Sequence, residues 1–143
     1  MSDDPFDLQR FVTAQDAVWS SVLRELKAGR KASHWMWFVF PQIKGLGSSP
    51  TAIAYGISSL AEAQSYLQHP VLGNRLRECC DILLDLDGVT AEMVFGYPDV
   101  LKLKSCLTLF ANADLREERF TALLNKFHAG ERDELTVASL VRQ

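Results

Sequence analysis

Residues 59–88 read SLAEAQSYLQHPVLGNRLRECCDILLDLDG, and this stretch decides the class of fold. Ser59 with Glu62 three positions on is a capping box, since the hydroxyl and the carboxylate can each satisfy a free amide of a first helical turn. Ala63, Tyr66 and Leu67 then repeat at helical spacing until His69-Pro70 ends the run. Pro70 suits the first position of a following helix, because its missing N–H would have no partner there. That helix carries Leu72, Leu76, Cys79, Cys80, Leu83, Leu84 and Leu86 on its apolar side before Asp87-Gly88 breaks it, and it is predicted to be the longest of the chain.

The same spacing recurs outward in both directions. Downstream, Thr90 opens one or two turns through Met93, Val94 and Phe95 that Gly96 stops. Pro98-Asp99 start a helix through Leu101, Leu103, Cys106, Leu107, Leu109 and Phe110, with Asp99 favouring its positive end. Residues 117–127 and 133–141 predict two more. Upstream, Asp7 is expected to cap a helix ending near Gln15, and Asp16 a second that carries Val18, Trp19, Val22, Leu23 and Leu26 and stops at Gly29. Ser33 is expected to cap a short, intensely apolar third helix that Pro41 ends. Residues 42–50 read as a loop. Extended backbone is suggested only at residues 52–57 and 38–40. The expectation is a mainly α protein with short connecting loops and little or no strand, a single domain over residues 1–143 with its core at about 7–142.

Composition narrows the function. The 143 residues are 48% hydrophobic and 23% charged, the profile of a soluble globular chain able to bury a core without staples. A net charge of −3 with a pI near 5.6 argues against a general nucleic-acid binder, which needs a broad positive field. The longest apolar run, residues 35–40, falls far short of the roughly 20 residues of a membrane-spanning helix. The start MSDDPFD is acidic where a secretory leader is basic and then apolar, so a cytoplasmic protein is expected. Of three cysteines, Cys79 and Cys80 are adjacent and Cys106 is distant, which gives no zinc or redox spacing. No metal and no cofactor are implied.

Four segments in order, LQRFVTAQ, ELKAGRKASHWMWFVFPQIKGLGSSP, YGISSLAEAQSYLQHPVLGNRL and FGYPDVLKLKSCLTLF, resemble the all-helical bacterial family known as domain of unknown function 1810. The resemblance covers the chain from about Asp7 onward. It implies a single mostly helical domain and no established activity. The label calpastatin, sometimes attached to that family, does not suit this chain: the animal inhibitor is a disordered repeat protein poor in apolar residues. The last segment departs from the family pattern, with Cys106-Leu107 where a Ser-Met pair is usual.

The candidate site lies in residues 29–47, GRKASHWMWFVFPQIKGLG, where two of three tryptophans and one of three histidines cluster behind Arg30-Lys31. His34 could act as an acid, a base or a hydrogen-bond donor to a ligand, although a histidine at a core edge is the commoner case. Trp35 and Trp37 cannot both face one core, so one is expected to be partly exposed or to line a cleft. A second constellation, Lys104, Ser105 and Thr108 beside Lys102, suits an anion, but such hydroxyls more often bond back to helix carbonyls.

Two functions follow. In the first, Trp35 or Trp37 stacks on a ring, Arg30, Lys31 and Lys44 hold anionic groups, and His34 or Gln42 supplies hydrogen bonds to a small anionic or nucleotide-like ligand. No carboxylate or nucleophile in the segment marks it as an enzyme, so binding is better supported than turnover. In the second, the same aromatic surface anchors a protein partner or a second copy of this chain. A concave surface would favour the ligand, and a flat apolar patch the partner.

Overall fold

The computed structural model describes residues 3–143 and arranges them as ten helices: α1 (Gln9–Asp16), α2 (Trp19–Lys27), α3 (Met36–Val39), α4 (Pro50–Ala54), α5 (Leu60–Gln68), α6 (Leu72–Asp85), α7 (Ala91–Phe95), α8 (Asp99–Ala113), α9 (Glu118–His128) and α10 (Glu134–Val141). The sole sheet-like feature among the described residues is an isolated parallel bridge between Ile43 and Ile57. The mainly α reading therefore holds. No helix of the described residues is long and apolar enough to cross a membrane.

Four helices close into a ring: α5 packs on α6 and α8, and α9 closes the ring by packing on both of these. Its interior holds Tyr66, Leu76, Cys79, Leu103, Cys106, Phe110, Phe120 and Leu123, all essentially without solvent contact. Tyr66 and Phe110 meet with ring centroids 5.2 Å apart, and Phe110 and Phe120 at 5.8 Å. Every residue from Ser105 to Ala111 is buried, as expected of a helix covered on all sides. Around this ring α2 packs on α6, α7 and α10 pack on α8, and α1 packs on α3.

Local chemistry explains most boundaries. Ser59 Oγ accepts the Glu62 amide at 3.2 Å, which starts α5. The other half of the box is absent: the Glu62 carboxylate takes the Ser58 amide and hydroxyl and the Arg10 guanidinium instead. His69 Nδ1 accepts the amides of Val71 and Leu72 at 3.1 and 3.2 Å and so caps α6. Lys126 Nζ donates to the carbonyls of Leu83, Leu84 and Leu86, the free acceptors at the far end of that helix. Gly29, at φ +74°, turns the chain after α2.

Several expectations are corrected. Asp7 does not cap α1; it has φ 52°, and the Asp4 carboxylate accepts the Leu8 and Gln9 amides in its place. Asp16 ends α1 rather than capping α2, and it pairs with Arg75 at 2.6 Å. Ser33 does not cap α3, because its hydroxyl donates to Glu25. Residues 38–40 form no strand, and the first half of residues 52–57 belongs to α4, whose cap Ser49 accepts the Ala52 amide at 3.1 Å, while Ile57 makes the isolated bridge. The longest helix is α8, with 15 residues against 14 for α6, because Leu86 turns out of α6 at ψ 131°.

Candidate functional site

Glu25 organises the segment that follows it. The carboxylate is buried at 6% exposure and accepts the Ala32 and Ser33 amides, the Ser33 hydroxyl and the Trp35 indole N–H at 2.6 to 3.0 Å. Burial alone would push its pKa up, but these donors outweigh that effect and hold it below the ordinary carboxylate value. The Lys31 amide, meanwhile, donates to the Val94 carbonyl at 2.7 Å, which ties the segment to α7. Trp35 therefore enters the core with no exposure, its ring 6.1 Å from Phe40 and 6.5 Å from Phe95. Trp37, two positions on, is left half-buried.

That division opens a cleft of about 480 Å³. One wall is His34, Trp37 and Phe38; a second, from α4 and its cap, is Ser49, Thr51 and Tyr55; the third is Asp99 and Lys102 on the first turn of α8, with Lys31 beside them. Phe38 and Tyr55 join the first two walls with ring centroids 5.3 Å apart. The backbone beneath is fixed where Ile57 N–H donates to the Gln42 carbonyl at 2.9 Å and Lys44 N–H to the Ile57 carbonyl at 2.8 Å.

The electrostatics centre on one carboxylate between two ammonium groups. Asp99 Oδ2 lies 2.8 Å from Lys31 Nζ, and Oδ1 lies 3.0 Å from Lys102 Nζ. Partial burial raises the Asp99 pKa, yet the hydrogen bonds from both lysines prevail and hold it below its usual range. Lys102 Nζ also sits 4.5 Å from the centroid of Trp37, and Lys31 Nζ 5.1 Å from that of Trp35. Two cations against one anion leave a positive surplus on an aromatic wall.

Residues 5–140 match the model of a protein family described as "Protein of unknown function (DUF1810)". The chain belongs to the DUF1810 family. It is also similar to a solved structure, that of the conserved hypothetical protein Rv1873 from Mycobacterium tuberculosis at 1.38 Å, with 58% identity, a TM-score of 0.95, and coverage of 96% of this chain and 99% of that one. No curated protein matches it.

In this DUF1810 chain the residues singled out from sequence divide cleanly. Lys31, His34, Trp35 and Trp37 line the cleft, Trp35 with its body in the core. Arg30 is exposed outside the lining. Gln42 is buried at 4% exposure behind the wall, its amide nitrogen without a partner among the described residues. Lys44 opens instead onto a separate depression shared with Arg10 and Glu62.

Lys104, Ser105 and Thr108 lie away from the cleft as well. Lys104 pairs with Glu131 at 3.4 Å, Ser105 Oγ donates back to Leu101, and Thr108 Oγ1 donates to Lys104 while accepting the Asp133 amide. From that stretch Lys102 is the residue that reaches the aromatic segment. Asp99, Tyr55, Ser49 and Thr51 also line the cleft; Asp99 stands out in sequence only as a helix-start residue, and nothing there marks the other three.

No group of three or more His, Cys, Asp or Glu side chains arranged to hold a metal ion occurs among the described residues. Cys79, Cys80 and Cys106 are free and buried.

Proposed function

We propose that this protein binds a small anionic, nucleotide-like metabolite in the cleft between α3, α4 and the first turn of α8. The observation that carries this reading is the concave meeting of a half-buried indole, Trp37, with the cations of Lys31 and Lys102 and the imidazole of His34. A flat ring gains stacking on Trp37, and an anionic group gains charge-assisted contacts from the ammonium groups. Binding suits the lining better than turnover does. Asp99 is engaged by two lysines, and Ser49 Oγ already accepts the Ala52 amide. The concavity around Trp37 also favours a ligand over a protein partner or a second copy, which would call for a flat patch.

The test is a thermal-shift screen of anionic metabolites on the wild-type protein, Trp37→Ala and His34→Ala. A ligand at about 100 times its Kd stabilises by roughly 2.7 kcal/mol, and that gain should disappear in Trp37→Ala. Hits retained in full by both variants, or no hit across the library, would overturn the reading.

A further inference from the structure

Lys102 occupies the two positions a ligand would want. Its ammonium lies over the Trp37 ring, 4.5 Å from the centroid, and at the same time 3.0 Å from Asp99 Oδ1. A ring that stacks on this face of Trp37 competes with that ammonium, and an anion that recruits the ammonium competes with Asp99. Both Trp37 and Lys102 line the same cleft, so the competition takes place inside it.

The two lysines differ in their freedom to respond. Lys31 has 8% side-chain exposure and a backbone amide fixed to Val94, so it stays. Lys102 has 23% side-chain exposure and a flexible four-carbon stem, so it can swing. Asp99 keeps a cation when it does, because Lys31 holds Oδ2 at 2.8 Å.

We infer that Lys102 is a displaceable, specificity-determining cation, and that the cleft selects molecules joining an aromatic ring to an anionic group, of which nucleoside monophosphates are the simplest class. The inference rests on the binding reading above. A nucleoside alone gains the Trp37 face but must drive the ammonium off it. Inorganic phosphate alone gains the ammonium but forfeits the cation–π contact and the Asp99 pair. A nucleotide exchanges both contacts together: its ring replaces the ammonium on Trp37, and its phosphate replaces Asp99 as the partner of Lys102. The swing also frees Asp99 Oδ1 to accept an N–H or O–H of the ligand.

The experiment titrates the four ribonucleoside monophosphates, their nucleosides and inorganic phosphate into wild-type protein, Lys102→Ala and Lys102→Arg, by calorimetry and by the indole N–H resonances of the three tryptophans. Loss of the ammonium should weaken nucleotide binding by about ten-fold or more, the scale of a lost charge-assisted contact. The same variant should tighten nucleoside binding by about three-fold, because the Trp37 face is then unoccupied. Lys102→Arg should restore nucleotide binding. Nucleotide and nucleoside affinities both unchanged in Lys102→Ala, or phosphate binding as tightly as a nucleotide, would overturn the inference and leave the cleft reading standing. No response of Trp37 to any of these compounds in the wild type would overturn both.

Discussion

The Trp35 indole N–H donates to Glu25 Oε1 across 3.0 Å, and both side chains are buried. Among the described residues no ion pair engages Glu25; four N–H and O–H donors hold its carboxylate. Removing the carboxylate in Glu25→Ala strands those donors and should destabilise the protein by about 3 kcal/mol, measured by urea unfolding. Glu25→Gln, which keeps one accepting oxygen, should lose about half of that.

The same pair sets a pH dependence. The folded-state pKa of Glu25 is depressed, so its contribution is present in full above the unfolded value of about 4.5 and is lost as pH falls through the lower folded value. Unfolding midpoints taken between pH 6 and pH 3 should fall less steeply in Glu25→Gln than in the wild type. Equal slopes would show that the carboxylate is not held as described.

Lys31→Met removes the better buried of the two cations on Asp99. Stability should drop by about 2 kcal/mol, less than for an isolated buried pair, because Lys102 remains. Without Lys31 the Asp99 pKa should move up toward the ordinary value, and a carboxyl carbon-13 titration by NMR reads this directly.

Gly47 sits against the edge of Trp37. A Cβ at position 47 would fall 2.7 Å from Trp37 Cη2 and 2.8 Å from Ala52 Cβ. Gly47→Ala should therefore push the indole aside, cost about 1 kcal/mol, and shift the Trp37 indole resonance while leaving those of Trp19 and Trp35 in place. An unmoved Trp37 signal would contradict the packing described.

Burial raises the pKa values of Cys79, Cys80 and Cys106, which suppresses the reactive thiolate. Native protein should react with a disulfide reagent at least about a thousand-fold more slowly than an exposed thiol, and denatured protein should yield three equivalents.

A cap with a long apolar repeat made α5 legible; the repeat alone marked α6, which starts at Leu72 and not at Pro70. The short α4 was not legible, although Ser49-Pro50 is a cap followed by a first-turn proline, because its glycine- and serine-rich approach reads as loop. Spacing alone required Trp35 and Trp37 to part company. Which of them enters the core depends on Glu25, ten residues earlier, and no local rule exposes that link. Lys31, His34 and Trp37 stood out because they cluster in sequence, whereas Asp99 and Lys102 arrive from α8 by tertiary packing. Lys104 lies two positions beyond Lys102, roughly 200° around the helix, so one of them reaches the cleft and the other pairs with Glu131.

The pairing of Ile43 with Ile57 makes a ring of the chain between them, and both ends of that ring rest on one anchor. The ring carries Ser49, Thr51 and Tyr55, one whole wall of the cleft. Closure entropy grows slowly with loop length, so lengthening this ring costs little in closure itself, whereas Gly47 against Trp37 and Ser49 as the cap of α4 are fixed points within it. The wall thus belongs to a closed loop of its own, and its shape is set apart from the packing of the helical ring underneath, whose α8 supplies Asp99 and Lys102.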